Sequence, residues 1–121
     1  MPINLKKYSP KTLEEAATVL YNDLDDAEKI EIKNSKYGSF HHTVGRDIRN
    51  EWGLWSGSTL REHFKTVYGL GHADDMSGLI LLSLRSLVVG HPFDTNVEYM
   101  VEHYKKHWES MNVDPLTQED K

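Results

Sequence analysis

Between His42 and Arg61 the sequence concentrates side chains that bind anions and planar rings. Arg46, Arg49 and Asn50 lie within about one helical turn of each other, with His42 four residues before Arg46. A guanidinium is a planar fork that suits a phosphate or a carboxylate. The run Trp52-Gly53-Leu54-Trp55 then offers two flat indoles on which a base could stack. Gly53 and Gly57 let backbone approach a ligand closely, and Ser56 and Ser58 bring hydroxyls to the start of the next helix, where anions bind readily. Arg61 follows on that helix. The competing reading is structural: Trp52 in the core, Trp55 plugging a turn, and the arginines paired with Asp47, Glu51 or Glu62.

A second constellation is His72-Ala73-Asp74-Asp75. Three hard ligands, with His63 or His42 as a fourth, would be a start for a metal site. Asp74 or Asp75 as the N-cap of the helix that follows is the simpler use of the same residues. Arg85 stands alone in an apolar helix and needs either an acid, such as Asp74, Asp75 or Asp47, or an anion pocket. His103 and His107 are spaced i, i+4, but Glu102 and Lys106 beside them suggest a solvated face, so no metal is assigned. The H-E-x-x-H spacing, a Walker loop, a glycine-rich dinucleotide fingerprint and a serine nucleophile elbow are all missing. No cofactor is expected. Two carboxylates and a histidine could still perform acid–base chemistry.

Helices must position these groups. Ser9-Pro10 opens the first, with Leu13, Ala17 and Leu20 on its apolar face, and Asp25 or Asp26 caps the second. Phe40, Val44, Ile48 and Trp52 make a buried stripe for a third helix over 39–52, which Gly53 stops. Ser58 caps a fourth over 59–68 with a Leu60, Phe64, Val67 stripe. The fifth, 76–89, is apolar nearly all round and reads as the centre of the core. Asp94, Thr95 or Asn96 caps a sixth that runs to about Met111, with Val97, Met100, Val101, Tyr104 and Trp108 facing inward. Sustained period-2 alternation is absent. The expectation is an all-α fold: a compact single domain of about six short helices over 1–111, with a frayed acidic tail over 112–121.

The 121 residues suffice for one core without staples, and there is no cysteine to form a disulfide or a thiolate metal site. The longest apolar stretch, 79–89, is too short for a membrane span, and a cytoplasmic location is expected. A net charge of −5 argues against an extended nucleic-acid surface. The charge is uneven: residues 36–91 hold six Lys or Arg against five acids, whereas 92–121 hold three Lys against seven acids.

The run Gly45-Arg46-Asp47-Ile48-Arg49-Asn50-Glu51-Trp52-Gly53-Leu54-Trp55-Ser56-Gly57-Ser58, followed by His72-Ala73-Asp74-Asp75-Met76-Ser77-Gly78, resembles a small bacterial and phage family of unknown function. That family carries an R-N-x-W-G-L-W-x-G-S core and an H-x-D-D-M-S turn before an apolar helix. The resemblance spans roughly residues 38–90. It implies a bacterial or phage source and brings no activity with it.

The reading that follows is a non-catalytic binder of a small anionic, nucleotide-like ligand. His42, Arg46, Arg49, Asn50, Trp52, Trp55, Ser58, Arg61 and His72 would hold the ligand, and Asp74, Asp75 and Arg85 would be structural or capping. In a phage setting the ligand could be a host immune signalling nucleotide, sequestered in the host cytoplasm by a homo-oligomer with pockets at its subunit interfaces. Two alternatives stay open: a protein–protein inhibitor or adaptor using the acidic ends, and a small hydrolase using His42 or His72 with Asp74 or Asp75.

Overall fold

The computed structural model describes residues 4–34 and 43–120. A short 3₁₀ turn, Leu5–Lys7, leads into α1 (Leu13–Asp23) and α2 (Asp26–Asn34). Then follow α3 (Thr43–Glu51), α4 (Thr59–His63) running directly into a π turn (Phe64–Tyr68), α5 (Ala73–Val88) and α6 (Val97–Ser110). The fold is all-α. The parts of the expected third helix before residue 43, with Phe40, His41 and His42, lie outside the described residues.

α5 is central, as its all-round apolar sequence predicts. Met76, Leu79, Ile80, Leu81 and Leu84 are fully buried, and α1, α2, α3 and α6 all pack on it. Leu13, Ala16, Ala17 and Leu20 of α1 supply the facing stripe, and Val44 and Ile48 of α3 a second one. Small residues on α5 let its neighbours come close: Ser77, Gly78, Ser83 and Ser86 are all buried.

Local chemistry explains the helix ends. α1 starts later than Ser9-Pro10 suggests, because Thr12 takes the cap: its hydroxyl accepts from Glu15 N at 3.1 Å. α2 opens with a reciprocal box, Asp25 Oδ1 accepting from Glu28 N (2.8 Å) and Glu28 Oε1 from Asp25 N (3.1 Å).

Two departures from the expected fold matter later. The fourth helix does not stay α-helical to Tyr68. At Phe64 it widens into a π turn, closed by Gly69 N donating to Phe64 O, with Gly69 at φ +69°. The extra residue in that turn rotates Val67 off the Leu60–Phe64 stripe, so Val67 is 60% exposed while Phe64 is fully buried.

The acidic C-terminal segment, expected as a frayed tail, is folded into a strap over residues 113–120. Asp114 organises it: Oδ1 accepts from Leu116 N and Thr117 N, and Asp114 O accepts from Gln118 N. Val113 and Asp120 form an isolated antiparallel bridge. The strap lies on the loop before α5, where Gly71 N donates to Pro115 O at 2.9 Å. A Cβ on Gly71 would sit 1.8 Å from Leu116 O, so only glycine permits this crossing. Charge and polarity make the segment look unstructured, but the Asp114 carboxylate and main-chain bonds order it, and composition does not reveal either.

Candidate functional site

The arginines expected to form one anion pocket point to three different places. Arg46 is exposed, and among the described residues its ion contact is a long one with Asp47, 4.0 Å. Arg49 turns inward, its side chain 12% exposed. There Nη1 donates to Ser77 Oγ at 2.9 Å, and Nε lies 3.2 Å from Asp74 Oδ1 as an ion pair without hydrogen-bond alignment. Arg61 Nη1 donates to Leu54 O at 2.6 Å and lies against Met76 Sδ. Arg49 and Arg61 therefore tie α3, α4 and the turn between them to α5.

The indoles also divide. Trp52 is 6% exposed, and its Nε1 donates to Leu5 O at 2.9 Å, which locks the N-terminal 3₁₀ turn onto the core. It is a core residue and not a stacking surface. Trp55 is 54% exposed, its ring fixed by Nε1 donating to Asn50 Oδ1 at 3.2 Å. Ser58 spends its hydroxyl as the N-cap of α4, accepting from Arg61 N at 3.0 Å.

His72, rather than Asp74 or Asp75, is the N-cap of α5. Its backbone is extended and its Nδ1 accepts from Asp74 N at 3.0 Å. The two carboxylates lie inside the first turn, where the helix dipole favours them, and each is turned to a different neighbour: Asp74 to Arg49, Asp75 to Trp108. Arg85 is half-buried and forms no ion pair with Asp47, Asp74 or Asp75; its guanidinium is not the partner that those acids find.

A cleft of about 340 Å³ lies at this helix start, between the His72–Asp75 turn and α6. Its far wall is His103, Tyr104, His107 and Trp108. Trp108 Nε1 donates to Asp75 Oδ2 at 2.8 Å, and its ring stacks on His72 with centroids 5.2 Å apart and planes at 27°. Trp55 meets the His72 ring edge-on at 6.0 Å. His72 thus stands between two indoles. Trp108 belongs to this site although its helical spacing indicates only a core position; nothing in the sequence signals a bond spanning 33 residues.

Burial is the main influence on Asp75, which is 7% exposed, and it pushes the carboxyl above its ordinary 3.8. The Trp108 bond and the imidazoles of His72 and His107 pull the other way, while Asp74 adds to the rise. A carboxyl raised on folding holds its proton better in the native state, so its contribution to stability falls as pH rises from 3.8 through the raised value. Asp75→Asn keeps an acceptor for Trp108. Its melting temperature should match the wild type below pH 3.8 and gain on it as the pH rises from there through the raised value; a gap that stays flat or closes over that rise would contradict the assignment.

His63, considered as a fourth ligand for the His72 turn, packs instead on Phe64 and Tyr68, each at 5.5 Å. Among the described residues no group of three or more His, Asp or Glu could hold a metal ion. Among the described residues no helix is long and apolar enough to cross a membrane.

A domain-family model described as a domain of unknown function, DUF6794, matches residues 9–87. The chain belongs to the DUF6794 family. The DUF6794 match begins ahead of α1 and takes in α1 and α2, which the motif resemblance over 38–90 left out. It ends within α5, so the cleft is a composite: the His72–Asp75 wall lies inside the DUF6794 segment and the α6 wall beyond it. No curated protein and no solved structure matches the chain.

Proposed function

We propose that the protein is a non-catalytic binding protein for a small, nucleotide-like ligand whose base stacks on Trp55. The observation that carries this reading is an indole 54% exposed whose Nε1 donates to Asn50 Oδ1 and whose ring meets His72 edge-on. Leaving an indole in water forgoes a large burial gain, and a fixed exposed ring loses little entropy when a planar partner covers it. Arg46 is one turn before Asn50 on the same face of α3 and is exposed, with a long contact to Asp47 among the described residues, and in this reading it meets the anionic part. The site thereby narrows from nine candidates to Arg46, Asn50, Trp55 and His72. A non-catalytic role is favoured because the described acid–base candidates are engaged: His72 Nδ1 caps α5, Asp74 pairs with Arg49 and Asp75 receives Trp108.

In this reading a phage or bacterial source, and capture of a host signalling nucleotide, give the biological setting. Native mass spectrometry of protein purified from cells reports any retained nucleotide together with the stoichiometry. Titration with a panel of nucleoside mono- and diphosphates, followed by tryptophan fluorescence, then gives the affinity. Trp55→Ala should weaken binding at least about tenfold, as loss of a stacked base does, with the melting temperature within about 1 °C of wild type. If no nucleotide binds, or if Trp55→Ala and Arg46→Ala bind as the wild type does, the reading fails.

A further inference from the structure

A second surface, separate from the Trp55 face, lies between the π turn and α6. It is a groove of about 350 Å³, at the small end of the range of roughly 300–1,000 Å³ for pockets that seat ligands. Val97 and Val101, nearly buried, form the floor, with Phe93 and Tyr68 half-buried beside them. Val67 makes the exposed wall. This wall exists because of the π turn. In a continued α-helix Val67 would fall on the Leu60–Phe64 stripe and be buried; the extra residue turns it outward. π turns interrupt helices rarely and are often found where a function needs them.

The rim is acidic. Asp94 and Glu98 border the groove, with Lys105 as the cation among its lining residues. Lys105 extends over Gly69, its Cε and Nζ both 3.4 Å from where a Cβ on that glycine would stand. Burial raises the Tyr68 phenol above its ordinary 10.0, and the charges of Asp94 and Glu14 act on it in the same direction. An apolar floor with carboxylates at its edge complements a partner that is apolar on one side and basic on the other. It does not complement a nucleotide, whose phosphates these carboxylates would repel.

We infer that this groove docks a basic amphipathic helix of a partner protein, which inserts apolar side chains against Val67, Val97 and Val101 and sets Lys or Arg against Asp94 and Glu98. Helix-in-groove recognition uses this division between apolar anchors and flanking charge. The surface shares no residue with the Trp55 site, so the two readings can fail independently.

The test uses fluorescence anisotropy with two dye-labelled 14-residue amphipathic peptides, one of leucine and lysine and one of leucine and glutamate. The lysine peptide should bind and the glutamate peptide should not. Val67→Ser, and the pair Asp94→Lys with Glu98→Lys, should each weaken the lysine peptide about tenfold or more. The pair Glu109→Lys with Glu119→Lys, which changes the net charge equally but lies outside the groove, should leave its affinity within about twofold, as should Trp55→Ala. The inference is overturned if both peptides bind alike, or if both charge-reversed pairs weaken binding equally. It is also overturned if light scattering finds a dimer that Val67→Ser dissociates, because a second copy would then occupy the groove.

Discussion

Gly71→Ala should cost about 2–3 kcal/mol of stability, with the loss confined to the contact between the C-terminal strap and the loop before α5. The new methyl would meet Leu116 O at 1.8 Å, its carbonyl carbon at 2.8 Å and its Cα at 3.4 Å. All three are backbone atoms, so no side chain can rotate away. The strap must lift, and the bond from Gly71 N to Pro115 O must break. Hydrogen exchange at residue 71 would reveal the broken bond directly. A second background isolates the cause: in a chain lacking residues 112–121 the same substitution should be nearly neutral, because the atoms it strikes are gone. Equal costs in both backgrounds would mean that Gly71 matters for another reason.

Arg49→Ala should lower stability by about 2–3 kcal/mol, the range for a charged hydrogen bond with its packing, and the melting temperature by on the order of 10 °C. The guanidinium holds α3 to α5 through Ser77 and Asp74. Its removal opens a void beside Ser77 Oγ, which keeps only its own donation to Asp74 O at 3.1 Å, and takes from Asp74 its ion pair. A double-mutant cycle of Arg49→Ala with Ser77→Ala should return a coupling of about 1 kcal/mol. A ligand-binding arginine predicts the opposite pattern, lost binding at an unchanged melting temperature. Thermal denaturation of this one variant therefore decides between the two roles that its residue type allows.

Much of the fold is legible in the sequence because it rests on local rules. The stripe Val44, Ile48, Trp52 specifies which side of α3 is buried, Ser58 is an ordinary cap residue, and the apolar girdle of α5 requires a helix enclosed on several sides. The site is less legible because it depends on who stands opposite. Arg46, Arg49 and Asn50 are close in sequence, and helical spacing cannot say that one guanidinium goes outward and the next goes under α5. Trp52 and Trp55 are the same residue type three positions apart, yet one is covered by the 3₁₀ turn and the other is left in the open. The His72 cap hides for a different reason: two aspartates follow it, and their stronger capping preference draws attention from the imidazole that takes the role.

The end of the π turn also decides where the chain goes next. Gly69 follows it at φ +69°, and this left-handed residue ends the helix, so that Leu70 turns into the interior and Gly71 meets the strap. Val67 and Leu70 are three residues apart, yet the first lies in solvent and the second in the core, on opposite sides of that one backbone reversal.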